Sequence, residues 1–244
     1  MRKEYHVYTD TGGRSENEDS VGVRQYGDNL VVVVADGLGG QGDGRAASQL
    51  VCESLLGCGA DGMFPTVQAV EAAFDRANRE LLAAQKNAFH MKTTAVYFCL
   101  NGDRAIWAHT GDSRLYHIHD GELKDYTLDH SASQLAVFLG SITRADIPCD
   151  PGRSRLIRAM GIEGETADVH EAITLEPKGQ HMFLLCSDGL WEYLTDEEIV
   201  RCSACAESVK GFLEALWKLK ISRSGTDCDN NTGAAILADW RCES

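Results

Sequence analysis

From residue 94 to residue 128 the sequence runs through four strand-like stretches with almost nothing between them. Stretches 94–100, 104–109, 113–119 and 122–128 are separated by turn-forming residues: Asn101-Gly102-Asp103, Gly111-Asp112 and the hairpin pair Asp120-Gly121. A parallel crossover consumes about a dozen residues or more, usually as a helix. None fits here, so these strands must form antiparallel meanders. Runs 29–35, 181–186 and 233–238 add further strands, and Ser20-Val21-Gly22-Val23 is another candidate. Helical spacing occurs at 45–56, with Ala46, Leu50 and Leu55 turned inward. It recurs at 66–87, where Val67, Val70, Phe74, Ala77 and Leu81 form one stripe. A third helix at 195–200 opens with the capping pair Thr195 and Glu198. A fourth, at 207–221, carries Val209, Phe212, Leu213, Leu216 and Trp217. Each sheet must cover its apolar face, which predicts an α+β fold of two antiparallel sheets face to face with helices outside them.

No repeat, linker or low-complexity tract interrupts the 244 residues, and the four prolines do not cluster, so one domain over 1–244 is expected. The net charge of −14 repels polyanions. It argues against nucleic-acid and anionic-membrane partners. No apolar run reaches the roughly 20 residues of a membrane span, and Met1-Arg2-Lys3-Glu4-Tyr5-His6 leads into no apolar stretch. A cytoplasmic location is the expectation. The nine cysteines are scattered and read as free thiols. Cys202 and Cys205 form a C-x-x-C pair without a second pair, a weak zinc or redox signal.

The aspartates carry the chemistry. Asp36 and Asp188 end apolar strands, Asp19 and Asp229 precede strands, and Asp112 lies between two. Asp-Gly is a common turn pair, as Asp61-Gly62 illustrates, so each is uninformative alone. Gathered at one sheet edge, five carboxylates would repel one another and protonate unless a cation neutralised them. An all-oxygen set selects Mg²⁺, Mn²⁺ or Ca²⁺ over zinc.

In order along the chain stand Arg14-Ser15-Glu16-Asn17-Glu18-Asp19, Ala35-Asp36-Gly37-Leu38-Gly39-Gly40, Lys92-Thr93-Thr94-Ala95 and Gly111-Asp112-Ser113-Arg114. Asp129-His130-Ser131, Arg158-Ala159-Met160-Gly161, Ser187-Asp188-Gly189-Leu190-Trp191 and Asp229-Asn230-Asn231-Thr232 follow. From Arg14 to Ala238 this series resembles the PPM family (PP2C-like) of metal-dependent serine/threonine phosphatases, especially its bacterial members. The resemblance implies a four-layer αββα sandwich. It implies that Asp19, Asp36, Asp188, Asp229 and the carbonyl of Gly37 surround two Mn²⁺ or Mg²⁺ ions, with Asp36 bridging them. Asp112 would join Asp188 at a weaker third ion. Glu18 would orient water in the outer shell, and Arg14 would grip the substrate phosphate. A water activated by the metal pair would attack phosphorus, so no cysteine nucleophile is required.

The implied substrates are phosphorylated Ser/Thr proteins, opposed by a Ser/Thr kinase, with the phosphatase a monomer. Two other functions stay open: a pseudophosphatase that only binds phosphoproteins, and a phosphatase of small phosphorylated molecules. Some positions depart from the pattern. Leu38 stands where many eukaryotic members carry a histidine, Arg45 where relatives show an acidic residue, and Gly12-Gly13 doubles a glycine before Arg14. His117, His119 and His130 read as packing or surface residues. Cys228 adjoins Asp229, so its oxidation would reach the site. Segment 141–155, rich in turn residues, coincides with the family's flap.

Overall fold

The computed structural model describes residues 1–39, 43–85 and 91–241. Gly40 of the second motif, the last two residues of the 66–87 helix and Cys242 lie outside these residues.

The strands are β1 (Arg2–Asp10), β2 (Asp19–Tyr26), β3 (Asn29–Leu38), β4 (Lys92–Thr93), β5 (Ala95–Asn101), β6 (Arg104–Thr110), β7 (Arg114–His119) and β8 (Glu122–Tyr126). After them come β9 (Asp168–Val169), β10 (Ile173–Thr174), β11 (Gln180–Cys186) and β12 (Asn231–Asp239). The helices are α1 (Asp43–Leu56), α2 (Val67–Ala84), α3 (Ala132–Phe138), α4 (Asp188–Trp191), α5 (Asp196–Cys205) and α6 (Val209–Arg223). One sheet runs β1-β12-β11-β7-β8, and the other β10-β6-β5-β3-β2, with β4 on β3 and β9 on β6. Every pairing is antiparallel, as the short turns require.

Three apolar layers separate four structural ones. On β3, Val31 and Val33 face α1 and α2, while Leu30, Val32 and Val34 face the other sheet. On β11, Phe183 and Leu185 face the sheet interface, and Met182 and Leu184 face α4, α5 and α6. Strands buried on both faces have no polar side to show, which is why 29–35 reads as a continuous apolar run. This is the αββα sandwich expected from the sequence.

Some local expectations need correction. In α1 the buried face is Ala47, Val51 and Leu55, and Ala46 points to solvent. The helix starts two residues earlier than expected, and its stripe follows Gly44, which must lie inward against Gly37. Trp217 leaves the α6 core stripe and is 36% exposed, whereas Lys220 of the same helix is fully buried. Asp36 does not end its strand: β3 continues to Leu38 because β4 pairs with it there. β1 was not anticipated, since its polar edge-strand sequence lacks an apolar run.

His117 is a packing residue. It stacks on Phe183 at 4.4 Å, and its Nε2 donates to Nδ1 of His181 at 3.0 Å. His181 Nε2 in turn donates to the Glu176 carbonyl, which fixes both tautomers. Burial, then the neighbouring imidazoles, lowers the His117 pKa to about 3. The unfolded chain therefore binds this proton at higher pH than the folded one. The stability it confers is present above the unfolded value of 6.5 and is lost as pH falls towards 3. Thermal melts between neutral and mildly acidic pH are expected to show a falling midpoint, with a shallower fall in His117→Leu.

Candidate functional site

The antiparallel register of β2 and β3 sets Asp19 opposite Asp36. β11 stops at Cys186, and Ser187 turns the chain so that Asp188 opens α4. The Ser187 hydroxyl donates to Asp19 Oδ2 at 2.8 Å and accepts from the Thr232 amide at 3.0 Å, which locks three motifs together. Asp112 sits in the turn between β6 and β7, where its carbonyl accepts from Trp191 Nε1 at 2.9 Å. Asp229 lies just ahead of β12. Residues separated by up to 210 positions thus reach one end of the sandwich.

They line a cleft of about 470 Å³ whose wall includes Asp36, Asp112, Asp188, Asp229, Glu18 and Gly37. Asp19 is not on the wall; it is buried on the neighbouring strand, opposite Asp36. Leu38, with Ser154 near the end of segment 141–155 and Leu156 just beyond it, completes the opening. The cleft is strained electrostatically. Burial pushes Asp19 up to about 6, and burial with the charges of Glu192 and Asp229 pushes Asp188 up to about 7. Burial and then the charges of Asp19, Asp188 and Asp112 hold Asp36 well above the ordinary carboxylate range. Asp112 is raised by burial and by Asp188, and Glu18 by burial and Glu16. Asp19 Oδ1, Asp188 Oδ1 and Glu18 Oε1 are buried without a hydrogen-bond partner. Orphaned, crowded carboxylate oxygens with no soft donor among them fit a hard cation.

Glycine makes the close approaches possible. A Cβ on Gly37 would lie 2.1 Å from the Gly44 carbonyl oxygen, so α1 can abut the Asp36-Gly37 corner only if neither residue has a side chain. The doubled glycine works similarly. Cβ atoms on Gly12 and Gly13 would fall 2.3 Å from the Asp229 carbonyl and 2.1 Å from that of Thr226. The loop before Arg14 therefore lies directly on the loop before β12. Arg14 forks onto Asp229 there, with Nε to Oδ1 at 3.0 Å and Nη2 to Oδ2 at 2.8 Å. Asn230 fastens the same loops by accepting from the Glu18 amide and donating to the carbonyls of Thr11 and Glu16. Sequence reasoning gave Asn230 and Ser187 no role of their own. The only signal was their place inside the motifs.

Among the described residues a second group, His109, His130 and Asp168, also clusters with ligand-type atoms within 4.8 Å. Its tautomers argue for a relay. The Gly111 amide donates to His130 Nδ1, so the proton sits on Nε2 and is donated to Asp168 Oδ2 at 2.9 Å. Arg158 Nη1 lies 2.7 Å from Asp168 Oδ1 and already supplies the positive charge. The relay steadies Gly111, next to Asp112. The eight described cysteines are all free, with Cys202 half-buried and Cys205 exposed on α5. Cys228 Sγ accepts from the buried Lys220 Nζ at 3.1 Å. Segment 141–155 is held by Arg144 on Asp196 at 2.8 Å and Arg153 on Glu192 at 2.6 Å.

Comparison with known proteins adds the following. The protein phosphatase 2C family model matches residues 12–223. The serine/threonine protein phosphatase PstP of Mycobacterium tuberculosis is 34% identical over 234 residues, which cover 93% of this chain and 42% of PstP. The chain thus spans less than half the length of that relative. The serine/threonine phosphatase stp of Listeria monocytogenes is 29% identical over 201 residues, covering 78% of this chain and 79% of the relative. The crystal structure of M. tuberculosis PstP superposes with a TM-score of 0.85 at 31% identity, covering 97% of this chain and 99% of that one. The PstP catalytic domain in complex with two manganese ions superposes at 0.82 with 28% identity, covering 97% and 99%.

Proposed function

Because the chain belongs to the protein phosphatase 2C family, we propose that it is a metal-dependent phosphatase, a single domain over 1–244, that hydrolyses phosphoserine and phosphothreonine in proteins. One observation carries the reading: crowded carboxylates with raised pKa values and unpartnered buried oxygens surround one cleft. Such a site is short of positive charge, and the PstP domain with two manganese ions supports manganese or magnesium as its source. Asp19, Asp36, Asp188, Asp229 and the Gly37 carbonyl would hold two ions, with Asp36 shared, and Asp112 with Asp188 a weaker third. Two hard divalent cations supply, when bound, the charge that makes water acidic near neutral pH and offsets the charge on a transferring phosphoryl group.

The chain's own residues do the rest. Glu18, half-buried beside Gly44, would accept a hydrogen bond from water in the cleft and orient it. Arg14 would present two donors to phosphate oxygens once Asp229 gives up its fork. Leu38 and Leu156 give the mouth apolar walls. Among the described residues the cleft wall carries no histidine, so no imidazole stands ready to protonate the leaving oxygen.

Phosphoprotein substrates, an opposing kinase, a monomeric state and a cytoplasmic location belong to the same proposal. Among the described residues no helix is long and apolar enough to cross a membrane. The test is phosphate release from p-nitrophenyl phosphate and from a phosphothreonine peptide, with Mn²⁺ and with EDTA. Turnover of both that needs metal is expected. Loss of all turnover would favour a phosphoprotein-binding pseudophosphatase, and turnover of the small ester alone would favour small-molecule substrates.

A further inference from the structure

Arg45 falls in the first turn of α1, the end of that helix that meets the acidic cleft. The neighbouring Gly44 is so close that a Cβ there would lie 2.9 Å from the Gly37 carbonyl carbon and 2.7 Å from Glu18 Oε1. The Arg45 Nη1 donates to Glu16 Oε1 at 3.3 Å, and Glu16 lines the cleft. Both side chains are open to solvent, at 52% and 39% exposure. An exposed pair of this kind is weak, so a substrate anion can take the guanidinium over. The guanidinium also has spare donors, since among the described residues one of its five N–H groups makes the only side-chain bond seen for it. Arg45 stands just outside the cleft wall, reaching it through Glu16, and among the described residues the wall's charged groups are six carboxylates and Arg14, which is committed to Asp229. Without Arg45, Glu16 would repel any negative group arriving beside the phosphate.

We propose that Arg45 is a specificity-determining residue that favours phosphopeptides bearing a second anionic group, a carboxylate or another phosphate, next to the phosphorylated serine or threonine. The inference rests on the phosphatase reading above. Arg45 acts in two ways: it neutralises Glu16 at the rim, and it offers donors to the incoming anion. Replacing it with glutamate reverses both effects, whereas lysine retains the charge.

The experiment measures kcat/KM with Mn²⁺ for the full chain and for Arg45→Ala, Arg45→Glu and Arg45→Lys. The substrates are a phosphothreonine peptide with neutral flanks, versions with aspartate on either side, a doubly phosphorylated version, and p-nitrophenyl phosphate as the flank-free control. The preference for anionic over neutral peptide is expected to fall about threefold in Arg45→Ala and about tenfold in Arg45→Glu, as expected for rim charges. Arg45→Lys should keep most of it, rising salt should erode it in the native protein, and p-nitrophenyl phosphate turnover, which reads any effect of unmasking Glu16 on the phosphate itself, should fall less than turnover of the anionic peptides. A response confined to the aspartate peptides supports the proposal with a carboxylate as ligand, and one confined to the doubly phosphorylated peptide supports it with phosphate. Equal preference in all four proteins overturns it. Absence of turnover on every substrate, p-nitrophenyl phosphate included, would instead overturn the phosphatase reading.

Discussion

Asp36→Asn is expected to reduce metal-dependent hydrolysis by about a thousandfold or more, while the metal-free protein becomes harder to melt. Asp36 faces Asp19 across the β2–β3 ladder and feels Asp188 and Asp112 as well, so three carboxylates crowd it. If it is shared by both ions, its removal disturbs both at once. Loss of a single electrostatic contact to the reacting centre already costs about a hundred- to a thousandfold. Asparagine keeps the shape and removes a charge that the metal-free fold holds at a cost, so repulsion falls. The two proteins should therefore cross over. Without metal the variant melts higher; with saturating Mn²⁺ the native protein gains stability through binding and the variant gains little. Melting curves with EDTA and with Mn²⁺, beside p-nitrophenyl phosphate turnover, read both halves. Near-native turnover in Asp36→Asn would place the reacting centre elsewhere.

Arg114→Leu should be the most damaging change outside the cleft. Its guanidinium forks onto Asp129 with two bonds of 2.7 Å, donates to the Tyr116 hydroxyl at 3.1 Å and lies 3.4 Å over the Trp191 ring. The side chains of the pair are 4% and 1% exposed. Removing the arginine leaves a buried carboxylate with no counter-charge, a loss of about 3–5 kcal/mol in comparable cases. Denaturant titration should show it as a lowered midpoint. The double variant Arg114→Leu/Asp129→Leu should regain much of the loss, because no orphan charge is left. If the double variant is as unstable as the single one, the bonds to Tyr116 and Trp191 matter more than the ion pair. Function should suffer too, since Trp191 also holds the Asp112 carbonyl.

Much of this architecture was readable in the residues. The turns between 94 and 128 left only antiparallel pairing, and double burial was written into 29–35 as an unbroken apolar run. The aspartates were recognisable by their places at strand boundaries, although Asp36 proved to lie inside its strand. What stayed hidden was settled by partners rather than by local pattern. β1 is a half-polar edge strand that exists because β12 offers it a ladder, and nothing in Arg2–Asp10 announces that. Ala46 and Ala47 are chemically alike, so only the seating of Gly44 on Gly37 decides which one faces the core. The grip of Arg14 on Asp229 spans 215 positions and depends on two glycines whose absent side chains let the loops touch. The Arg114–Asp129 pair joins two motifs that the sequence displays separately.

The position of β12 between β1 and β11 also makes the acidic end of the sandwich depend on parts of the chain that are synthesised at different times. Asp19 and Asp36 are made before the strand that joins β1 to β11, at Asn231–Asp239. Until then β1 has no ladder to join and Asp229 does not exist. A polypeptide cut short before that point therefore carries Asp19, Asp36, Asp112 and Asp188 without the strand that joins β1 to β11.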